Sequence, residues 1–162
     1  QPPPDITKKQ RNIFKVNVNS SDRHLVEDEP LQDISKIREM VKEFVLNFGK
    51  TDQENQDLIN SLSAQQRNFV LSQGRKPDSS DSPSDAVVSY KTDRGTSYEI
   101  YLGILDEIMG AYDEIYGERV GLTAEEFRNL DKSDPAQNDV YSRAREGIPR
   151  NVSIAEPTKI GE

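Results

Sequence analysis

The apolar residues of this chain follow a helical period over one long stretch, from Ser97 to Gly117. They are separated by steps of three and four residues, which place side chains on one face of a helix. Thr96 and Glu99 have the spacing of a capping box at the start of the stretch, and Gly117 and Gly121 suit its end. The pattern predicts a long helix that buries one stripe, formed by Tyr101, Ile104, Leu105, Ile108, Tyr112 and Ile115.

Two stretches near the start of the chain alternate between apolar and polar residues, as half-buried strands do. Asn12–Asn19 carries apolar residues at every second position from Phe14 onward. His24–Glu27 is predicted to form a second short strand, paired with the first in a hairpin, and Pro30 ends it. His24 is interpreted as an exposed residue of this strand or turn, with a functional role as the alternative.

Two later stretches also predict strands. Val87–Tyr90 is a short apolar run that leads through the polar turn 91–95 into the long helix. Asn151–Ala155 alternates, with Val152 and Ile154 on one side, and therefore predicts a terminal strand.

Further helices are predicted on either side of these strands. Asp33 suits the N-cap of a second amphipathic helix that ends near Gly49. Thr123 with Glu126 has capping-box spacing, and Asp134 precedes a proline in the position that opens a helix, so two short helices are expected there. The charged residues of the second amphipathic helix are expected on its solvated sides: Lys36, Arg38, Glu39, Lys42 and Glu43.

This order of elements predicts an α+β fold. The expected fold is a small mixed β-sheet with two main helices packed on one face (β-β-α-β-α-β), plus short extra helices. This arrangement buries the apolar stripes of both helices against one sheet. Residues 12–157 form this domain, and residues 50–85 are interpreted as a polar insertion within it. Its last part, 75–85, has no apolar residue and is predicted to be a mobile loop. Residues 1–11 are interpreted as a Pro-rich linker and 158–162 as a tail.

The composition narrows the function classes. The chain has 162 residues and a net charge of −8, and an acidic surface disfavours binding to nucleic acid. The absence of cysteine removes disulfides, thiolate metal sites and a cysteine nucleophile, and a single histidine leaves almost no histidine-based chemistry. No apolar run approaches the roughly 20 residues that cross a bilayer. The start at Gln1 without a methionine favours a fragment or a processed product.

Candidate catalytic chemistry is sparse. No arrangement brings carboxylates into a pocket, and no calcium loop or phosphate-binding glycine loop is present. No catalytic residue, metal or cofactor is therefore expected, and the chain is predicted not to be an enzyme; a small α+β enzyme is the alternative. The acidic residues of the long helix are interpreted as a solvated face: Asp106, Glu107, Asp113, Glu114 and Glu118.

The tyrosines of the long helix and the turn before it each have a structural interpretation and a binding interpretation. The tyrosines either mark the edge of the core or form a contact face for a second subunit. The turn from Asp93 to Ser97 either connects strand and helix, with Gly95 supplying backbone freedom, or presents Arg94 to a partner at the end of the sheet. The tyrosines concerned are Tyr98, Tyr101, Tyr112 and Tyr116.

These stretches resemble a known family. Several segments are similar to the periplasmic domain of the ExbD/TolR family of biopolymer transport proteins. They are Phe14–Asn19, Val26-Glu27 before the helix opening Asp33-Ile34, Val87–Ser89 running into Asp93–Tyr98, and Ile154–Pro157. The most specific part is Arg-Gly-Thr-Ser-Tyr, at 94–98. The chain departs from shorter members of the family in the insertion 50–85 and in the extra helices at 123–146.

The resemblance implies a sheet covered on one face by two helices, and a homodimer. It implies an accessory subunit of a proton-motive-force-driven complex in the cell inner membrane, with ExbB-like and TonB-like partners, that supports outer-membrane transport. This domain would lie in the periplasm, with residues 1–11 as the linker from an N-terminal membrane helix that this chain does not include. The family's proton-carrying aspartate lies in that helix, so no Asp of this chain takes its role.

The hypothesis that follows is a domain that acts by protein–protein contacts. An edge of the sheet, at Asn151–Ala155 or Asn12–Asn19, would accept an extended segment of the partner. The alternative is a peptidoglycan-binding domain of the TolR or motor type, with a polar cleft near Arg94 or Arg119. The candidate partner-binding residues are Arg94, Tyr98, Val152 and Ile154.

Overall fold

The computed structural model describes residues 10–46, 53–61, 64, 67–68 and 79–155. The strands of this part are β1 (Ile13–Val18), β2 (His24–Val26), β3 (Glu29–Pro30), β4 (Val87–Thr92) and β5 (Val152–Ala155). Its helices include α1 (Lys36–Leu46), α2 (Gln53–Ser61), α3 (Tyr98–Arg119), α4 (Ala124–Arg128) and α5 (Pro135–Arg145).

The strands form one mixed sheet in the order β3-β2-β1-β4-β5. β1 pairs parallel with β4, and β4 pairs parallel with β5, whereas β2 runs antiparallel to both of its neighbours. Apolar side chains of β1 and β4 share one core with the inner faces of α1 and α3, including Val16, Val88 and Ile108, which are all fully buried. The predicted α+β fold with a mixed sheet and packed helices is confirmed.

The hairpin at the start of the chain extends further than the sequence predicts. Pro30 does not end the second strand but belongs to a third one, in which it pairs with Leu25. Glu27 and Asp28 make the reversal, both with positive φ. A proline fits here because β3 is an edge strand, where a missing N–H leaves no ladder bond broken.

The predicted mobile loop at 75–85 is wrong for its described part. Ser80 and Asp81 are almost completely buried. The Ser80 hydroxyl donates to the Phe44 carbonyl at 2.9 Å, and the Asp81 N–H donates to the Asn12 side chain at 2.8 Å. Polar hydrogen bonds fix this segment against α1 and the start of β1, and hydropathy cannot detect such contacts. Of the rest of the insertion 50–85, the structure describes α2 and a few residues after it; the remaining residues lie outside the described part.

Helix α3 begins one residue later than the capping box suggests. Ser97 is its N-cap, because the Ser97 hydroxyl accepts the Ile100 N–H at 3.3 Å. Thr96 has another role, since its hydroxyl donates to the Asn19 carbonyl at 3.2 Å and ties the turn to the end of β1. The helix ends at Arg119, before Gly121, which adopts a positive φ of 78° as a glycine after a helix often does.

Gly117 does not end α3 but permits a close contact within its last turns. A Cβ at Gly117 would lie 2.7 Å from the Leu122 carbonyl oxygen and 2.8 Å from that of Thr123. Both obstacles are backbone atoms, which cannot rotate away as a side-chain end can. We therefore expect Gly117→Ala to lower the free energy of unfolding by about 1–3 kcal/mol despite alanine's higher helix propensity.

Urea unfolding followed by circular dichroism measures this effect. Gly103→Ala is the control within the same helix, because its Cβ would meet only the terminal methyl of Ile34, at 3.3 Å. We expect that variant to be neutral or stabilised. Equal stability changes in the two variants would contradict the close-contact explanation.

The acidic side of α3 is not a solvated face over most of its length. Lys42 of α1 is buried, and its ammonium lies 3.0 Å from Glu114 and 2.9 Å from Glu118. Arg38 of α1 pairs with Glu107 at 3.3 Å and with Glu114 at 2.9 Å. The prediction of solvated charges is wrong for these residues, since the two helices place opposite charges against each other.

Burial alone lowers the pKa of Lys42, but the hydrogen bonds to Glu118 and Glu114 outweigh it and raise the pKa above its ordinary value. Lys42 therefore carries its charge within the helix interface, where a neutral amine would remove a cation from Glu118 and leave Glu114 with Arg38 alone.

Candidate functional site: the outer edge of β5

β5 is the last strand in the order of the described sheet, next to β4. Its residues pair in parallel register with β4, with Val152 beside Val88 and Ile154 beside Tyr90. The Val88 N–H donates to the Asn151 carbonyl at 2.9 Å. Among the described residues, no strand pairs with the other side of β5.

The register determines which backbone groups of β5 point outward. In a parallel ladder, alternate residues of a strand direct both of their backbone groups to the same neighbour. Because Asn151 bonds to β4, Ser153 also points toward β4, and the N–H and C=O groups of Val152 and Ile154 point to the outer edge. The strand therefore presents two donors and two acceptors in the spacing that a further strand would need.

A row of tyrosine rings leads from the sheet to the surface beside this edge. The Tyr90 and Tyr101 rings stack with centroids 5.5 Å apart, and those of Tyr101 and Tyr98 are 6.4 Å apart. Tyr90 is fully buried, whereas Tyr98 is 73% exposed. Burial raises the pKa of Tyr90 far above its ordinary value, so its hydroxyl stays protonated and donates to the Tyr101 carbonyl at 3.0 Å.

Apolar side chains at the edge are unusually accessible. Ile154 is 40% exposed and Leu102, one helical turn after Tyr98, is 39% exposed. Neighbours in register on parallel strands point to the same face, so Ile154 lies on the side of the sheet that carries Tyr90 and α3. Tyr98 and Leu102 lie about three and two helical turns before Met109, which contacts Arg150 just ahead of β5, so the helical period places both on the side of α3 that faces this edge. The β5 edge surface, defined here as Tyr98, Leu102, Ile154 and the outer backbone of β5, thus combines apolar side chains with strand groups that no described strand pairs with.

The structure brings three of the four predicted site residues to one end of the sheet. Tyr98 begins α3, Ile154 lies near the end of β5, and Arg94 is exposed in the turn that follows β4. Val152 lies nearer the other end of β5, where it is half-buried and packs against the core. The four tyrosines differ in burial: Tyr98 is a surface residue, Tyr112 and Tyr116 belong to the core, and Tyr101 is partly buried.

A buried ion pair positions the residues before β5. Asp113 of α3 is 4% exposed and lies 2.7 Å from the Arg150 guanidinium and 3.2 Å from that of Arg128. The Tyr116 hydroxyl donates to the Ile148 carbonyl at 2.6 Å. The prediction of a solvated Asp113 is wrong, because its partners come from segments distant in sequence, and no sequence spacing indicates them.

Arg119 and His24 have local structural contacts. The Arg119 guanidinium donates to the main-chain carbonyls of Ala144, Glu146 and Ser61, and so joins the ends of α5 and α2. Burial lowers the pKa of Arg119. The His24 ring is half-buried rather than exposed, with Nδ1 3.1 Å from the Leu31 carbonyl oxygen.

Other kinds of site have no candidates within the described residues. They contain no group of His, Asp and Glu side chains arranged to hold a metal ion. Their helices are all too short or too polar to cross a membrane. Comparison of the chain with protein-family models, curated proteins and solved structures found no match.

Proposed function

We propose that this domain acts by protein–protein contact, and that a partner adds an extended segment to the outer edge of β5. One observation carries the proposal: the outward backbone groups of Val152 and Ile154 have no strand partner in the described part of the chain, and the Ile154 side chain beside them is exposed. In this mode of recognition, main-chain hydrogen bonds supply affinity and the adjacent side chains supply specificity.

The residue patterns quoted above extend this proposal to a cellular role. We propose the periplasmic domain of an ExbD-like accessory subunit, within a proton-motive-force-driven complex of the inner membrane that supports outer-membrane transport. Its partners would be ExbB-like and TonB-like proteins and a second copy of this chain. The mixed sheet with packed helices supports the resemblance, and the β5 edge surface supplies a docking site of the required kind.

A proline substitution tests the strand addition. Ile154→Pro removes one outward N–H and the exposed apolar side chain, but it leaves the ladder to β4 intact because Ile154 does not bond to that strand. We expect binding of an extended TonB-like periplasmic peptide to weaken about tenfold or more in this variant. Isothermal titration calorimetry gives the affinity, and backbone NMR of the wild-type chain should show shifts at Val152 and Ile154.

Two controls separate backbone pairing from side-chain contact. Ile154→Ala keeps the N–H and removes only the apolar contact, so it should retain part of the affinity. Asn129 is exposed at the end of α4 and has no place in the β5 edge surface, so Asn129→Ala should bind normally. The proposal fails if peptide shifts lie away from β5, or if purified cell-wall sacculi retain the domain while the peptide does not bind.

A further inference from the structure

Arg145 has no carboxylate partner within the described part of the chain, unlike the arginines that pair with α3. Arg38, Arg128 and Arg150 each lie within salt-bridge distance of a carboxylate of that helix. Arg143, two residues before Arg145 on α5, pairs with Asp139 at 3.0 Å. For Arg145, the described residues supply no carboxylate within salt-bridge distance.

Aromatic rings hold the Arg145 guanidinium instead. Its central carbon lies 5.2 Å from the centroid of the Tyr141 ring and 5.9 Å from that of Tyr116. One terminal nitrogen donates to the Tyr141 hydroxyl at 3.1 Å. The Nε atom is buried and has no hydrogen-bond acceptor among the described residues. A buried donor of a charged group that lacks an acceptor is unfavourable, so an additional acceptor would stabilise it.

An open cavity lies against this arginine. It has a volume of about 570 Å³ and is formed by the end of α5 and the residues that lead toward β5. Tyr141, Arg145, Gly147 and Pro149 contribute to its walls, as do Arg143 and Glu146. The cavity therefore offers space beside a cation that no carboxylate of the described residues pairs with.

We propose that this cavity binds a carboxylate group, which accepts hydrogen bonds from Nε and the adjacent terminal nitrogen of Arg145. The fork of a guanidinium matches the two oxygens of a carboxylate. Because Nε is buried, the guanidinium tilts toward the cavity when the carboxylate binds. The carboxylate comes either from a small free acid or from the C-terminal end of a polypeptide.

The local charge favours a carboxylate over phosphate. Within the described residues Arg145 supplies one positive charge without a carboxylate partner, Arg143 is paired with Asp139, and Glu146 adds to the cavity wall a negative charge that Arg119 partly offsets. A single negative charge matches this balance, and a phosphate, which carries more charge near neutral pH, would be repelled by Glu146.

NMR of the arginine Nε–Hε groups tests the site directly. Titration of the full chain with sodium acetate, at constant ionic strength set by sodium chloride, should shift the Arg145 signal with a saturable curve. Arg145→Gln should weaken acetate binding about tenfold, as observed through the neighbouring Gly147 amide. Arg145→Lys keeps the charge but lacks the fork, and should bind more weakly than wild type.

Control variants come from the same cavity. Arg143→Gln should change the affinity by less than about twofold, because its charge is already paired. Glu146→Gln should tighten binding about two- to threefold by removing repulsion. Circular dichroism checks that each variant is folded, and Arg145→Lys keeps the test valid if Arg145→Gln does not fold.

Two peptides identify the source of the carboxylate. If tetra-alanine with a free C-terminus binds more tightly than both acetate and the C-terminal amide of the same peptide, the carboxylate comes from the end of a polypeptide. Equal binding of acetate and the free-acid peptide, with no binding of the amide, identifies a small acid. The proposal is overturned if no Arg145 shift occurs, if chloride produces the same shift, if phosphate binds more tightly than acetate, or if the acid and amide peptides bind alike.

Discussion

Raising the pH from 8 to 11 should lower the free energy of unfolding by about 3 kcal/mol through the buried Tyr90 and Tyr112, and Tyr116 should add to this loss. Tyr90, Tyr112 and Tyr116 are fully buried, and burial raises the pKa of each hydroxyl above its ordinary value. In the unfolded chain they ionise at pH ~10, whereas in the folded chain each keeps its proton to a higher pH.

The direction of the effect follows from proton binding. Above pH ~10 the unfolded state binds fewer protons than the folded state, so stability falls as the pH rises. Each tyrosine contributes about 1.4 kcal/mol per pH unit until its own folded-state pKa is reached. The raised pKa of Lys42 acts in the same direction, because the folded chain keeps that proton longer than the unfolded chain.

Urea unfolding at a series of pH values measures this loss. Tyr112→Phe is the most informative variant, because the buried Tyr112 hydroxyl makes no well-formed hydrogen bond within the described part of the chain and little is lost with it. We expect that variant to be close to wild type at pH 8 and to lose stability less steeply above pH ~10. Tyr98→Phe is the control, since Tyr98 is largely exposed. The same steep loss in Tyr112→Phe as in wild type would show that its ionisation is not responsible.

Asp113→Asn should lower the free energy of unfolding by about 3 kcal/mol at neutral pH. The Asp113 carboxylate is almost completely buried and balances the guanidiniums of Arg150 and Arg128. An asparagine of the same shape cannot balance these charges, and a broken buried ion pair leaves cations without compensation. Because Arg150 lies two residues before β5, we expect the β5 amides to exchange with solvent faster in this variant.

Asp139→Asn provides the matched control. Asp139 also pairs with an arginine, Arg143 at 3.0 Å, but both side chains are mostly exposed. An exposed pair of this kind contributes about 0–1 kcal/mol. Circular dichroism in urea gives both stabilities, and hydrogen exchange gives the protection of β5. Similar small losses in the two variants would contradict a structural role for the buried carboxylate.

The local elements of the fold were predictable because their signals lie within a few residues of one another. The alternation in β1 and the three-and-four spacing in α3 correspond to buried faces in the structure. The capping box at Thr123 and the N-cap at Asp134 are both present. β3 was missed because a two-residue strand has no periodicity, and the segment at 79–85 because hydrogen bonds rather than apolar contacts hold it.

The candidate site was predictable only in part. The exposure of Tyr98 and Ile154 depends on how far the core extends along α3 and β5. A sequence pattern gives no information on which side chains of an apolar stripe extend beyond the core. Leu102 was missed for this reason. Arg145 was missed because a sequence does not show which arginines lack a carboxylate nearby. Whether the described residues supply one depends on every element that packs around the guanidinium.

The amino-acid order determined the strands, the helices and the buried faces of this protein, since these depend on side-chain periods and caps along a single segment. Only the tertiary structure decided the features on which the two proposals rest, namely the strand order that puts β5 at the edge of the described sheet and the pairing of the charged side chains around it. Strand order and ion pairing join residues far apart in the chain, as Asp113 joins Arg150 and Lys42 joins Glu118, and the free energy of these contacts is realised only when the helices pack on the sheet.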